Sequence, residues 1–172
     1  DTAGLVLVVA RTSGARRDRS GVSLFAVDAG TPGLQVNGFG TLDGRRAAHI
    51  ELNAVRLGAD RVVGPLGGAL PLVEAALDRT TATLAADATG AMEALIELTA
   101  EHLRTRKQFG APLAKFQVLQ HRLADMVIAL EQAKSMACAA AMAIAGGDAT
   151  HRRRIVSAAK ALVGPLGKRL AL

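Results

Sequence analysis

Residues 72–107 run without a proline and with a single glycine, Gly90. Their apolar residues Val73, Ala76, Leu77, Leu84, Ala88, Ala91, Leu95, Leu98 and Leu103 recur mostly at steps of three and four. That spacing gathers side chains on one face of an α-helix. A helix of about thirty residues spans roughly 45 Å at 1.5 Å per residue, a length suited to a large bundle, usually of four helices. The breakers agree: "DRVVGPLGGALP" (60–71) precedes the run and "FGAPL" (109–113) ends it. Gly90 costs about 1 kcal/mol relative to Ala inside a helix, so the sequence predicts a close helix–helix approach there.

A second helix is predicted over residues 115–145, with Leu119, Leu123, Met126, Val127, Leu130, Ala133 and Ala137 as its buried stripe and "AGGD" as its stop. A third begins near Asp148 or Thr150, either of which can cap it. It turns Ile155, Ala158, Ala159 and Leu162 inward. Pro165 lies deep in this third helix, at a cost of about 3 kcal/mol in a regular interior, which predicts a kink near Gly164 or a frayed end. Three antiparallel helices leave apolar surface uncovered, so more chain or a partner is expected.

Residues 1–63 read as β. "AGLVLVVART" is a short strand, ended by the polar turn "SGARRDRSG". "GVSLFAVDA" is apolar on both faces, as a buried strand is. "GTPG" makes a turn, and "LQVNGF" and "AAHIELNAVRL" supply two more strands. His49 falls on the polar face of the last strand and, lacking a partner at ligand spacing, is a poor metal candidate.

Charge divides unevenly. Residues 1–100 hold 9 Lys+Arg against 11 Asp+Glu, whereas residues 101–172 hold 12 against 4. The second part is therefore expected to meet an anion. Trp and Tyr are absent and the four Phe form no stacking array, which disfavours nucleic acid and favours a phosphate-bearing small molecule. The longest uncharged apolar stretch, "ACAAAMAIAGG" (137–147), is too short to span a bilayer, so no membrane association is expected. "LVLVVA" lacks a basic n-region, so no signal peptide is expected, and both chain ends look cut. One cysteine, Cys138, fits a reducing cytoplasm and reads as a buried small hydrophobe.

Catalytic constellations are sparse. No G-x-G-x-x-G, Walker A, H-E-x-x-H, G-x-S-x-G or C-x-x-C occurs, and no metal site is expected. Glu93 and Glu97 lie one turn apart and read as solvated surface.

"RTRKQFGAPLAKFQVLQHRLADM" (104–126) resembles the signature of flavin-dependent acyl-CoA dehydrogenases, at the junction of the first two helices of their C-terminal bundle. "GVSLFAVDAGTPGLQV" and "TLDGRRAAHIELNAVRLGADRVVGPLGGALPLVEAALDRTTATLAADATGAMEALIEL" follow the family in order. The segments "TLDGRRAAHIEL" and "AMEALIELT" look most like the small-subunit type of pimeloyl-CoA dehydrogenase. The resemblance implies an α+β chain: residues 1–66 as the C-terminal part of a middle β-domain, a partial β-barrel or sandwich, and residues 67–172 as a truncated antiparallel helical bundle.

It also implies a cofactor, FAD. By the family's R-x-x-F-G turn, Arg106 is the residue that contacts the pyrophosphate of FAD bound mainly by a neighbouring subunit, and a guanidinium suits that task. Phe109 would pack beside the cofactor, and Gln108 and Gln117 would hydrogen-bond to it. Asp78 matches a substrate-contact position, although Thr81 stands where the family commonly has an arginine.

The implied reaction is α,β-dehydrogenation of an acyl-CoA to a trans-2-enoyl-CoA, with a glutamate base and flavin as hydride acceptor. Thr80 occupies the base position of a minority of the family. The majority's glutamate is expected beyond Leu172, and a flavin-contacting W-x-T/S segment before Asp1, so no catalytic residue is assigned here and the isolated chain is expected to be inactive. Implied partners are acyl-CoA, further subunits in a homo- or hetero-oligomeric dimer of dimers, and an electron-transfer flavoprotein. The rival reading is a non-catalytic assembly subunit that contributes to its partner's FAD site.

Overall fold

A computed structural model describes residues 2–171. They form two compact units, Asp1–Val73 and Glu74–Leu172.

The first unit is antiparallel β. Strands β1 (Leu5–Arg11), β2 (Val22–Asp28) and the short β5 (Val62–Val63) make a sheet in the order β1-β2-β5. The register pairs Leu5 with Asp28 and Arg11 with Val22. β2 is the central strand, as its two apolar faces predict, and contributes the buried Val22, Ser23 and Val27. A separate hairpin pairs β3 (Leu34–Gly40) with β4 (Arg46–Leu52). His49 lies on it exposed, its ring 4.9 Å from that of Phe39. The strand predicted over residues 47–57 therefore ends early, and Ala54 takes a positive φ of 51° just beyond it.

The second unit is helical. α1 (Leu70–Thr105) starts two residues before the predicted point, because Pro71 sits in the first turn, where a missing N–H costs nothing. α2 (Gln117–Ala145) stops at Gly146 and Gly147, the latter at φ 78°. α3 (Ala149–Ala171) is capped by Asp148, whose Oδ1 accepts from the Thr150 N–H at 2.9 Å. The core joins Ala85 and Met92 of α1 to Leu130, Ala133 and Ala137 of α2 and Val163 of α3. A second cluster joins Ala82, Ala140, Val156 and Ala159. Alanines at the α2–α3 contact let the helix axes approach closely.

Several expected core positions lie elsewhere. On α1, Leu77, Leu84, Leu95 and Leu98 are exposed, and Ala82, Ala85, Met92 and Leu103 are buried. The helix carries two apolar stripes, and the bundle takes the one with alanines. On α2, Val127 is exposed, and on α3, Ala158 and Leu162 yield to Val156, Ala159 and Val163. Cys138 is exposed, one step off the Ala133–Ala137–Ala140 face. Gly90 has open space around it, so among the described residues no helix makes the expected close approach there. Pro165 is contained in a continuous helix. Pro165 and Ala161, four residues before it, are both exposed.

By length and composition α2 is long and apolar enough to cross a membrane, which the sequence reading discounted. In this fold it gives one face to the helical core, and its Lys134 Nζ donates to Glu93 Oε1 of α1 at 2.7 Å.

Candidate cofactor-binding turn

The connection from α1 to α2 is built rather than loose. The Arg106 N–H donates to the His102 carbonyl and its own carbonyl accepts from the Leu113 N–H, both at 2.9 Å. The backbone of Arg106 is thus held from both sides. Next, β6 (Lys107–Gln108) pairs with β7 (Ala111–Pro112), with Lys107 opposite Pro112 and Gln108 opposite Ala111.

Phe109 and Gly110 form the two-residue tip, at φ 54° and 77°. Two positive φ values define the mirror-image turn that suits a two-residue hairpin. Glycine accepts this freely. A bulky phenylalanine does not, and left-handed backbone at such a residue costs about 1–2 kcal/mol. The strain is not repaid by burial, because Phe109 is 90% exposed. Its one aromatic neighbour is Phe116, edge-on at 86° with centroids 6.1 Å apart.

Phe116 also anchors the start of α2. Its carbonyl accepts from the N–H groups of Leu119 and Gln120, and Gln120 Nε2 donates to the Ala114 carbonyl at 2.8 Å. Gln117 is therefore fixed as the first residue of α2, with its side chain exposed.

Of the residues singled out from sequence, Arg106, Gln108, Phe109 and Gln117 fall on this one turn and its exit, all exposed. The guanidinium of Arg106 has no ion pair among the described residues, whereas nearby Arg104 is paired with Glu101 at 3.3 Å. Asp78 is placed apart from them. Its Oδ2 accepts from Arg152 Nε at 2.8 Å, joining α1 to α3, and beside it Arg153 pairs with Glu74.

Sequence reasoning missed Gln120 and Phe116 as the supports of this turn. The Phe-Gly dipeptide was the available signal, since glycine in the second tip position marks a mirror-image turn. Glu93 is exposed, as expected, and it also binds Lys134 and holds its ammonium pKa above the ordinary value. Asp43 is held below the usual carboxylate range first by the Thr41 hydroxyl. No cluster of metal-binding side chains exists among the described residues.

Chemically, the turn displays a guanidinium carried on a fixed backbone, two amides and an open aromatic ring on a strained residue. With the antiparallel sheets and the long-helix bundle, this defines an α+β chain with an exposed basic residue at its helical junction. A profile for the acyl-CoA dehydrogenase C-terminal domain matches residues 69–171. The chain belongs to the acyl-CoA dehydrogenase family.

Acyl-CoA dehydrogenase FadE27 of Mycobacterium tuberculosis is 38% identical over 107 residues, 62% of this chain and 27% of its own length. The human mitochondrial short-chain specific acyl-CoA dehydrogenase is 32% identical over 144 residues, 81% of this chain and 34% of its own length. Among solved structures, PigA with FAD and proline superposes with a TM-score of 0.81 at 25% identity, covering 98% of this chain and 46% of PigA. The chain thus spans about a third or less of the length of those two relatives.

Proposed function

We propose that the full-length protein is an FAD-dependent acyl-CoA dehydrogenase, converting an acyl-CoA thioester to a trans-2-enoyl-CoA. The observation that carries this reading is the α1–α2 turn, where an uncommitted Arg106 stands three residues before the strained and exposed Phe109. The donor set fits FAD. A guanidinium forks onto pyrophosphate oxygens, amides donate and accept around a ribose or adenine, and an aromatic ring covers a flat heterocycle.

In this reading Arg106 binds the pyrophosphate of FAD held mainly by a neighbouring subunit. Gln108 and Gln117 orient the cofactor, and Phe109 shields it from water. Bound FAD supplies the hydride acceptor; this part of the chain supplies position and charge. Asp78 serves the acyl-CoA side, its Oδ2 fixed by Arg152. The parent works in the cytoplasm as a dimer of dimers and passes electrons to an electron-transfer flavoprotein. PigA's binding of FAD on a similar fold supports the cofactor.

The test is the full-length protein, purified and assayed for bound flavin and, by mass spectrometry, for enoyl-CoA formed from saturated acyl-CoAs of graded length with an artificial electron acceptor. Flavin with enoyl-CoA formation is expected. A protein that retains no flavin, or oxidises none of the series, defeats the reading.

A further inference from the structure

The loop between β1 and β2 spends a whole arginine on its own backbone. Arg11 Nη1 donates to the carbonyls of Ser13 at 3.2 Å and Ser20 at 2.9 Å. Its Nη2 donates to those of Arg16 at 3.3 Å and Asp18 at 2.7 Å. The base of the loop is closed by the Thr12 N–H on the Gly21 carbonyl, and the Gly21 N–H donates to Gly67 at 2.7 Å. Below it the fully buried Ser23 hydroxyl hydrogen-bonds with Thr12 Oγ1 and accepts from the Gly67 N–H, each at 2.8 Å. Gly21 takes φ 81°, where a Cβ would lie 2.1 Å from the Ser13 carbonyl oxygen. This conformation therefore requires glycine at position 21.

The loop's only acid is turned to the same purpose. Asp18 Oδ2 accepts from the Ala15 N–H at 2.7 Å. Arg16 and Arg17 remain exposed on the outside, with Arg19 beside them. A solvated charge run needs no such scaffold. Fixing the backbone in advance lowers the entropy lost when side chains on it engage a partner.

We propose that residues 13–20 form a preorganised docking finger for an acidic protein surface. Every residue from Arg11 to Ser20 is exposed, so the loop projects outward, and a projecting loop suits a macromolecular face better than an enclosed small anion. Guanidinium forks match carboxylate pairs in geometry. An anionic membrane is disfavoured because the loop has no apolar residue larger than Ala15 to insert. Nucleic acid is disfavoured because no aromatic residue accompanies the arginines.

The experiment uses the full-length chain and a fluorescent poly-L-glutamate peptide at low salt. Arg16→Ala/Arg17→Ala is expected to weaken binding about tenfold, since two exposed ion pairs are removed. Arg11→Met keeps Arg16, Arg17 and Arg19 but frees the loop, and is expected to weaken binding about threefold with the fold intact by circular dichroism. The charge-matched Arg154→Ala/Lys160→Ala is expected to bind as the parent does. No binding, or an equal loss in the control, overturns the proposal. Loop-dependent binding of inorganic phosphate, anionic vesicles or single-stranded DNA in preference to the peptide also overturns it.

Discussion

Arg152 Nε and Asp78 Oδ2 are 2.8 Å apart across 74 residues of sequence, with side chains only 14% and 13% exposed. The pair joins α1 to α3 well away from the turn that carries Arg106. Removing one member of a buried pair leaves the other charge without compensation, which costs about 3 kcal/mol. Asp78→Asn and Arg152→Met should each lower the unfolding free energy from urea denaturation by that amount, with the midpoint falling accordingly. The double variant Asp78→Leu/Arg152→Leu should recover most of it. Single variants with unchanged midpoints would show that the pair contributes nothing to the bundle.

Met92 is 2% exposed and, with Ala85, carries α1 into contact with α2 and α3; a Cβ at Gly167 of α3 would lie 3.9 Å from its sulfur. Met92→Ala should destabilise the bundle by about 2–5 kcal/mol through lost burial and the cavity left behind. Leu98→Ala, on the exposed stripe of the same helix, should cost far less in this chain. Thermal unfolding of the two variants side by side distinguishes the stripes.

That contrast marks where the sequence stopped being legible. Alternation located β1 to β4, and glycines and prolines located the helix ends, because both are local signals. The motif around Arg106 was equally local. Which apolar stripe of α1 faces the bundle is a property of its neighbours, and a helix with leucines at 77, 84, 95 and 98 and a methionine at 92 satisfies a helical period either way. The stripe that meets Leu130, Ala133 and Val163 is the one through Ala85 and Met92, and alanines weigh little in any hydrophobic count. Cys138 was misplaced for the same reason. The Asp78–Arg152 and Glu93–Lys134 pairs are tertiary, and one sequence gives no sign of them.

Phe109 holds φ at 54° in a tip where Asn-Gly is the favoured dipeptide. Phe109→Asn should therefore stabilise the isolated chain by about 1 kcal/mol, the strain relieved exceeding the loss of one exposed edge contact with Phe116. In the full-length protein the same change should reduce flavin retention. A variant less stable than the parent would remove strain as the explanation of this geometry.

Arg106 and Lys107 are adjacent, equally charged and both exposed, which makes them a matched pair. Only Arg106 has its backbone hydrogen-bonded to both α1 and the segment after β7. Arg106→Ala in the full-length protein should weaken FAD binding more than tenfold, as expected for loss of a charge-assisted hydrogen bond of about 1.5–3 kcal/mol. Lys107→Ala should leave it nearly unchanged. Equal flavin absorbance in the two purified variants would withdraw Arg106 from the cofactor.

Lys134 and Glu93 give the bundle an alkaline limit. The Glu93 carboxylate accepts from the ammonium at 2.7 Å and raises the Lys134 pKa above its ordinary 10.5. A group whose folded pKa is raised contributes stability that is whole below the unfolded pKa and is lost as pH rises through the folded one. The pair's contribution should therefore be constant across neutral pH and disappear only above about pH 10.5. In thermal melts the parent's Tm should fall more steeply in that alkaline range than that of Lys134→Met, whose Tm should be lower at neutral pH. Salt should narrow the neutral difference, because the pair is partly exposed. Parallel alkaline slopes in parent and variant would mean that α1 and α2 are joined by their apolar contacts alone.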